Sequence, residues 1–136
     1  MPLALDLSEL GRVIGRLDEA IGRCQREPND DLLRDGLIQR FEVTYELCHR
    51  MLRRFIRETS ASPEAVDQMA FQDLIQTANQ QGLLRSDWPV WHRYRDLRAR
   101  TSHTYLAAAA EAVAAAIPDF MAEAEHLRNE LRRRLA

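Results

Sequence analysis

Apolar residues recur at every third or fourth position through most of the chain, which is the spacing of an amphipathic helix. The first stripe predicts a helix over residues 6–26, and the second predicts one over residues 31–59 that spans the whole domain. Pro28 separates the two because its ring cannot continue a helix, and Asn29 or Asp30 can cap the second one. The pattern therefore predicts that the chain begins with two long helices joined by a short connection.

Three further helical segments follow in the second half of the chain. A helix over residues 63–81 is predicted to stop at Gly82, a fourth element runs from about 86 to 100, and a last helix runs from about 104 to the C-terminus. Pro118 lies inside the last stripe and predicts a kink there, because its ring clashes with the carbonyl of the preceding turn.

The composition agrees with an all-α fold. Apolar residues make up 46% of the chain and aromatic residues only 7%, and five glycines and five prolines leave little material for tight turns. The alternation of three and four is typical of the seams of helical bundles. We therefore predict a single domain over residues 1–136, folded as an antiparallel up-and-down bundle of four to five helices.

Two apolar surfaces exceed what a small bundle needs internally. The alanine-rich segment 107–116 predicts a close-packing surface, and Trp88, Trp91 and Tyr94 are spaced by three, which places them along one helix face. Core or dimer packing is the expected role of these aromatic residues, rather than base stacking. Because exposed apolar patches mark interfaces, the sequence predicts a homodimer.

The charge is nearly balanced overall and uneven locally. All 19 basic residues are arginine, and with 21 acidic residues the net charge is −2, so the chain is not a generic polyanion binder. Residues 50–57 nevertheless contain four arginines and no acid. This segment is either a solvated face, an extension of a positive groove, or a surface for an acidic patch on a partner. The absence of lysine is equally well explained by genome composition.

The cysteines and the N-terminal residues indicate the cellular compartment in which the protein is expected. Cys24 and Cys48 each sit on an apolar stripe, which predicts small buried thiols rather than a disulfide or metal ligands. The N-terminus lacks the basic start of a signal peptide, and no run approaches the length of a membrane span. The sequence thus predicts a cytoplasmic protein with no cofactor, no metal and no membrane partner.

The candidate chemistry lies between the fourth and the last helical segments. His103 is the side-chain type best suited to proton transfer near neutral pH, and Arg98 has a guanidinium that binds phosphate oxygens in a bidentate way. Together they can hold or cut a phosphodiester without a metal. Five residues on one helix separate two side chains by about 140°, so a shared site requires a break between them or a second protomer. Thr101, Ser102 and Thr104 favour a break, since they are better caps than helix-interior residues.

These residues resemble the signature of the HEPN superfamily, in which arginine is followed by four residues, histidine, one residue and tyrosine, here Arg98, His103 and Tyr105. Within it the chain is most similar to the nucleotidyltransferase substrate-binding proteins and the HepT-like toxins. The segment 41–47, Phe-Glu-Val-Thr-Tyr-Glu-Leu, matches a second motif of that branch, and Trp88 matches a tryptophan in the same place. Two agreeing segments far apart in the chain make the resemblance specific.

The resemblance implies a fold, a partner and roles for single residues. It implies a homodimeric helical bundle whose two sites face a cleft, and a minimal nucleotidyltransferase partner that acts as the antitoxin. In toxin members the arginine and histidine cleave RNA without a metal, and the partner attaches AMP to the tyrosine. Carried over, Arg98 is the phosphate clamp, His103 the general acid or base, and Tyr105 the AMP acceptor. Ala99 departs from the branch, which commonly has asparagine after the arginine.

Two functional classes therefore remain open. One is a toxin, a metal-independent endoribonuclease; the other is a non-catalytic subunit that presents a substrate, or its own Tyr105, to the nucleotidyltransferase. Glu42 and Glu46 share a helix face four residues apart and are interpreted as a charged interface stripe. The remaining histidines follow no pattern and are predicted to be surface or rim residues: His49, His92 and His126.

Overall fold

The computed structural model describes residues 5–135, and these residues form an all-α fold, as predicted. It has seven α-helices and one 3-10 turn, more elements than the four to five helices expected. The α-helices are α1 (Ser8–Arg26), α2 (Asp31–Thr59), α3 (Pro63–Asp67), α4 (Phe71–Gln80), α5 (Trp88–Arg100), α6 (Ala107–Ala116) and α7 (Pro118–Leu135), and the 3-10 turn is Thr101–His103.

The first two helices form an antiparallel hairpin. The Thr44 hydroxyl lies 3.4 Å from the carbonyl oxygen of Val13, and Arg40 donates to the carbonyl of Arg16 over 2.8 Å. Pairing of a later α2 residue with an earlier α1 residue is the register of two antiparallel helices. At the connection, the Asp30 side chain accepts a hydrogen bond from the amide of Leu33 in the first turn of α2. Of the two predicted caps, Asn29 and Asp30, it is therefore Asp30 that caps α2. Both predicted helices are confirmed.

The prediction of one continuous helix over residues 63–81 is wrong, because the helix is interrupted near its middle. The chain forms the short α3 and then α4, with Ala70 in an extended conformation between them. Arg53 on α2 donates to the carbonyl oxygens of Val66 and Met69, over 2.8 and 3.2 Å. These tertiary hydrogen bonds occupy carbonyls at the helix break. The predicted stop at Gly82 is confirmed, since its φ of 77° is a conformation that glycine adopts without strain.

The last predicted helix is also divided, and it starts later than expected. Thr104 and Tyr105 lie in a loop, and α6 begins at Ala107. Pro118 begins the new helix α7 instead of kinking a continuous one. Because proline has no amide hydrogen, the carbonyl of Ala114 bonds instead to the amide of Ile117, over 3.3 Å.

The buried side chains pack around an aromatic cluster centred on Phe120 of α7. Its ring centroid lies 5.3 Å from that of Phe41, 5.8 Å from Trp91 and 5.2 Å from Tyr94. Trp91 is only 1% exposed, so the prediction of core packing is confirmed for this residue. The homodimer prediction assumed that this aromatic face is exposed, and that assumption is wrong. Trp91 and Tyr94 are buried in the core of the bundle, and Trp88 is partly buried. The homodimer itself stays a prediction.

One buried carboxylate fixes the loop that leads into α5. Glu123 of α7 is 1% exposed, and its Oε1 accepts hydrogen bonds from the amides of Arg85 and Ser86, over 3.0 and 3.2 Å, and from the indole N–H of Trp91, over 3.1 Å. Sequence reasoning missed this residue. A signal was present, because Glu123 falls on the apolar stripe of α7 three residues after Phe120.

The two cysteines differ in burial. Cys48 is fully buried, and the loss of solvation raises the pKa of its thiol to about 12. Cys24 is only partly buried, and both thiols are free. Within residues 5–135, no helix is both long enough and apolar enough to cross a bilayer.

Candidate functional site

The break predicted between Arg98 and His103 is present in the structure. α5 ends at Arg100 and runs directly into the 3-10 turn that carries His103. The hydroxyl of Thr101 lies 2.6 Å from the carbonyl oxygen of Arg98, and the hydroxyl of Thr104 donates to the carbonyl of Thr101 over 3.3 Å. These side-chain hydrogen bonds lie where the α-helical hydrogen bonding of α5 ends. The chain then passes through the loop 104–106 before α6 begins.

Arg98 projects from α5 onto the outer face of α2. Its Nε and Nη2 both donate to Oε1 of Glu46, over 3.2 and 2.6 Å, and Nη1 lies 3.2 Å from Oε2 of Glu42. Nη1 also donates to the hydroxyl of Thr101 over 3.1 Å, and that hydroxyl is 3.2 Å from the Glu42 carboxylate. The segments 41–47 and 98–105, distant in sequence, therefore meet at one ion-pair network.

The two glutamates that were interpreted as an interface stripe contact the guanidinium of Arg98 within the same chain. The interface interpretation itself stays a prediction. Glu42, Glu46 and Thr101 are thus the site residues that sequence reasoning did not assign. The signal was the spacing of four that puts both glutamates on one face, but the sequence does not show which helix packs against that face.

The network is partly solvated and carries a net negative charge. The side chains of Arg98, Glu42 and Glu46 are 27%, 32% and 55% exposed. One guanidinium faces two carboxylates, so any phosphate that approaches Arg98 also approaches Glu46, the more exposed of the pair. Ion pairs at this degree of exposure contribute about 1 kcal/mol or less to stability, so orientation of the guanidinium is their main consequence.

His103 and Tyr105 are both exposed beyond this network. Tyr105 has 85% of its surface accessible, and His103 is exposed at the end of the 3-10 turn. Tyr105 lines a shallow depression together with Glu42 and Thr101, so it borders the residues that hold Arg98. Within residues 5–135 the hydrogen bonds of Arg98 go to glutamate and threonine side chains rather than to His103. The site therefore presents a fixed guanidinium and two accessible side chains.

Ala99 lies outside this depression. It lines a separate groove between α5 and the junction of α6 and α7, together with Tyr94, Ala116 and Asp119. Glu42 and Thr101 are absent from that groove. Ala99 itself makes none of the described contacts of Arg98.

Three comparisons with known proteins agree. The model of the family described as "nucleotidyltransferase substrate binding protein like" matches residues 5–133. A protein of Haemophilus influenzae named "Probable ribonuclease HepT" is 38% identical over 104 residues, which cover 76% of this chain and 70% of the relative. The solved structure of HI0074 from Haemophilus influenzae, described as the fold of a substrate binding domain of a nucleotidyltransferase, superposes with a TM-score of 0.88 at 31% identity. It covers 93% of this chain and 99% of that one.

Proposed function

Because the chain belongs to the nucleotidyltransferase substrate-binding protein-like family, we propose that it is a HepT-like toxin, a metal-independent ribonuclease neutralised by a minimal nucleotidyltransferase partner. The observation that carries the proposal is the contact of Arg98 with Glu42 and Glu46, with His103 and Tyr105 exposed just beyond it. This contact unites the two segments that resemble the toxin branch. The reaction takes place in the cytoplasm and uses no cofactor.

In the proposed reaction His103 accepts the proton of a ribose 2′-hydroxyl, and the freed oxygen attacks the adjacent phosphorus. The bond from phosphorus to the 5′-oxygen breaks, and that oxygen takes a proton from water as it leaves, while the proton on His103 returns to the solvent. The products are a 2′,3′-cyclic phosphate and a 5′-hydroxyl. Arg98 donates to the non-bridging oxygens, on which negative charge accumulates in the transition state.

The glutamates give Arg98 a defined orientation before the substrate arrives. Glu42 is the less exposed of the two and shares Thr101 with Arg98, so it stays in place and holds the guanidinium. Glu46 is 55% exposed, and a phosphate oxygen takes its place on Nε and Nη2 when RNA binds. The two N–H groups it vacates lie on one edge of the guanidinium, which suits bidentate binding of a phosphate.

Neutralisation acts on Tyr105 in this proposal. The partner transfers AMP from ATP to the phenol oxygen, which forms a bond to the α-phosphorus and releases pyrophosphate. The exposure of Tyr105, at 85%, makes its hydroxyl reachable by a second enzyme. The attached phosphate and nucleoside would occupy the depression beside Glu42 and Thr101, next to Arg98, and exclude RNA from it.

We also infer a homodimer that pairs through the outer face of α6. This helix buries only Ala110 and Val113 and leaves small side chains exposed at Ala107, Ala108, Ala112 and Ala115. Small side chains permit close helix approach, and the neighbouring Leu106 is 61% exposed. Sedimentation at micromolar concentration tests this inference, and a stable monomer contradicts it.

The experiment that tests the proposed activity is expression with and without the partner. Expression alone should arrest growth and degrade RNA, and co-expression should relieve both effects. His103→Ala and Arg98→Ala should each abolish cleavage by the purified protein, a loss of about 10²–10⁴-fold for a general acid or base. His92→Ala is the control, because His92 is an exposed histidine on α5, the helix that precedes the turn carrying His103. Cleavage should survive EDTA, and a requirement for a divalent ion contradicts the mechanism.

One observation favours the second candidate function, a non-catalytic binding subunit. Two carboxylates surround Arg98, which leaves the network with a net negative charge in the free protein. A subunit that only presents Tyr105 to the nucleotidyltransferase needs no accessible phosphate clamp. Inactivity of the wild-type protein on all RNA, with partner binding and AMP transfer retained, supports this candidate.

A further inference from the structure

The contact between α2 and α5 continues beyond Arg98 into a second surface. The two helices are antiparallel, so one turn after Glu46 on α2 comes His49, and one turn before Arg98 on α5 comes Arg95. Both contact Phe71 of α4. The His49 ring meets it edge-on with centroids 4.6 Å apart, and the Arg95 guanidinium carbon lies 5.8 Å from its ring centroid.

This surface is basic where the network around Arg98 is acidic. A depression beside His49 is lined by Arg50, Arg53, Arg54 and Arg57 against a single acid, Asp67. Asp67 is bound by Arg57 over 2.9 Å, and Arg54 bonds to Glu58 over 3.1 Å. Four arginines against these two carboxylates leave the depression positive. We call it the arginine groove. Arg95 does not line this depression, but it lies over Phe71, whose ring contacts His49, and we count it as the continuation of the groove on α5.

The arginines of the groove differ in how they are held. Arg53 is half-buried and donates to two neutral carbonyls, so its hydrogen bonds fix its position without cancelling its charge. Arg50 and Arg95 are exposed, and neither pairs with a carboxylate within residues 5–135. Burial is the main cause that lowers the pKa of His49, and the charges of Arg53 and Arg95 lower it further, against the opposing charge of Glu46.

We propose that the arginine groove binds the sugar–phosphate backbone of single-stranded RNA on its way to Arg98 and His103. This inference rests on the proposed ribonuclease function and names where its substrate is held. Arginines that line a groove, with an aromatic ring between them, are the pattern that tracks a single strand without reading its sequence. The acidic network around Arg98 lies about one helical turn away and repels phosphate, so the strand is held mainly at the arginines. Its phosphates bind at the arginines, and a single phosphate reaches Arg98.

The test measures binding of a fluorescein-labelled single-stranded RNA of mixed sequence in the His103→Ala background, so that the probe is not cut. The groove variant is the double substitution Arg50→Gln and Arg95→Gln. Its control is Arg23→Gln with Arg132→Gln, which removes two exposed arginines on α1 and α7 and changes the net charge equally. Arg53 is left intact because it supports the α3–α4 connection. Thermal unfolding confirms that both variants are folded.

We expect the groove variant to bind RNA at least tenfold more weakly at low salt than its control. The slope of log K against log salt should become shallower by about 1.4, since each phosphate contact on a single strand contributes about 0.7. Equal slopes in the two variants overturn the proposal. So does an absence of RNA binding by the His103→Ala protein at low salt.

Two further outcomes separate this proposal from the proposed function. If the groove variant loses RNA binding but the wild-type protein cuts no RNA, the groove is supported and the ribonuclease function fails. If the wild-type protein cuts RNA and the groove variant cuts and binds it equally well, the function stands and the groove proposal fails. Loss of nucleotidyltransferase binding with RNA binding unchanged identifies the groove as a protein interface and also overturns the proposal.

Discussion

Arg98 and Glu46 are 52 residues apart in the chain, yet Nη2 of one lies 2.6 Å from Oε1 of the other. The pair fastens the end of α5 to the middle of α2 and does so at the surface, where Glu46 is 55% exposed. The guanidinium is consequently oriented by a carboxylate that is open to solvent. In the proposed function, an RNA phosphate replaces this carboxylate on Arg98.

The first prediction concerns that exchange. Glu46→Gln should tighten RNA binding, because it removes a carboxylate that repels phosphate and leaves the orientation of Arg98 to Glu42. The gain of one such interaction near the surface is about 1 kcal/mol, or about fivefold in Kd. Anisotropy with labelled RNA in the His103→Ala background measures it.

Two controls sharpen this measurement. Glu125→Gln removes an exposed carboxylate of α7 and should leave Kd unchanged. In an Arg98→Ala background the Glu46→Gln gain should shrink, because the displaced contact no longer exists. Binding that weakens in Glu46→Gln would show that phosphate does not replace this carboxylate.

The second prediction concerns Tyr105. With ATP and the nucleotidyltransferase partner, the intact mass should rise by AMP increments, and Tyr105→Phe should remain unmodified. Tyr94→Phe is the matched control, since Tyr94 is only 8% exposed and its hydroxyl donates to the carbonyl of Asp119 over 3.3 Å. A modified Tyr105→Phe protein would identify a different acceptor.

The third prediction concerns the buried carboxylate of Glu123. Glu123→Leu leaves the amides of Arg85 and Ser86 and the indole of Trp91 without their acceptor, which should lower the free energy of unfolding by roughly 2–4 kcal/mol. Glu123→Gln retains an oxygen at the same place and should lose distinctly less. Urea unfolding followed by tryptophan fluorescence measures both. Equal losses in the two variants would show that acceptor chemistry is irrelevant at this position.

The fourth prediction concerns pH and His49. Burial and Arg53 lower its pKa below the ordinary value of 6.5, and its Nε2 is buried without a hydrogen-bond partner among the described residues. The unfolded chain therefore takes up a proton near pH 6.5 that the folded protein resists. The free energy of unfolding should fall as the pH drops below about 6.5, until the folded pKa is reached.

His49→Gln isolates this effect. The substitution removes the titrating group, so the stability difference between wild type and variant should change between pH 7.5 and 5, in favour of the variant at low pH. Denaturant unfolding at each pH provides the values. A difference that stays constant over this range would mean that His49 titrates alike in the folded and unfolded chain.

Local signals in the sequence were sufficient for the long helices and for the break before His103. Periodicity and Pro28 predicted α1 and α2, and cap-forming residues such as Thr101 predicted the break that the structure forms as a 3-10 turn, because each signal acts within a few residues. The interruption between α3 and α4 was missed, since it depends on hydrogen bonds from Arg53, a residue of another helix. Local propensity carries no information about such a donor.

The candidate site shows the same division. Arg98, His103 and Tyr105 were predicted as site residues from the motif they resemble, and that prediction stands; the structure places them at the end of α5 and in the turn and loop that follow. The roles of Glu42 and Glu46 were not identified, because the sequence shows that they share a face but not what that face meets. The spacing of the aromatic residues placed Trp91 on one helix face. Only the packing of α7 against that face, through Phe120, shows that Trp91 is buried in the core.

The short helix α6 has a consequence for how Tyr105 is presented. It is bounded by the loop at Leu106 and by Pro118, and its fully buried side chains are only Ala110 and Val113, with Ala114 and Ala116 partly buried against the core. In the free monomer its amide hydrogens should therefore exchange with solvent faster than those of α2, because opening it exposes little apolar surface. Such an opening would lengthen the tether of Tyr105 while the main core stays closed. A homodimer that pairs through α6, as proposed, would instead protect these amides and hold Tyr105 close to the bundle.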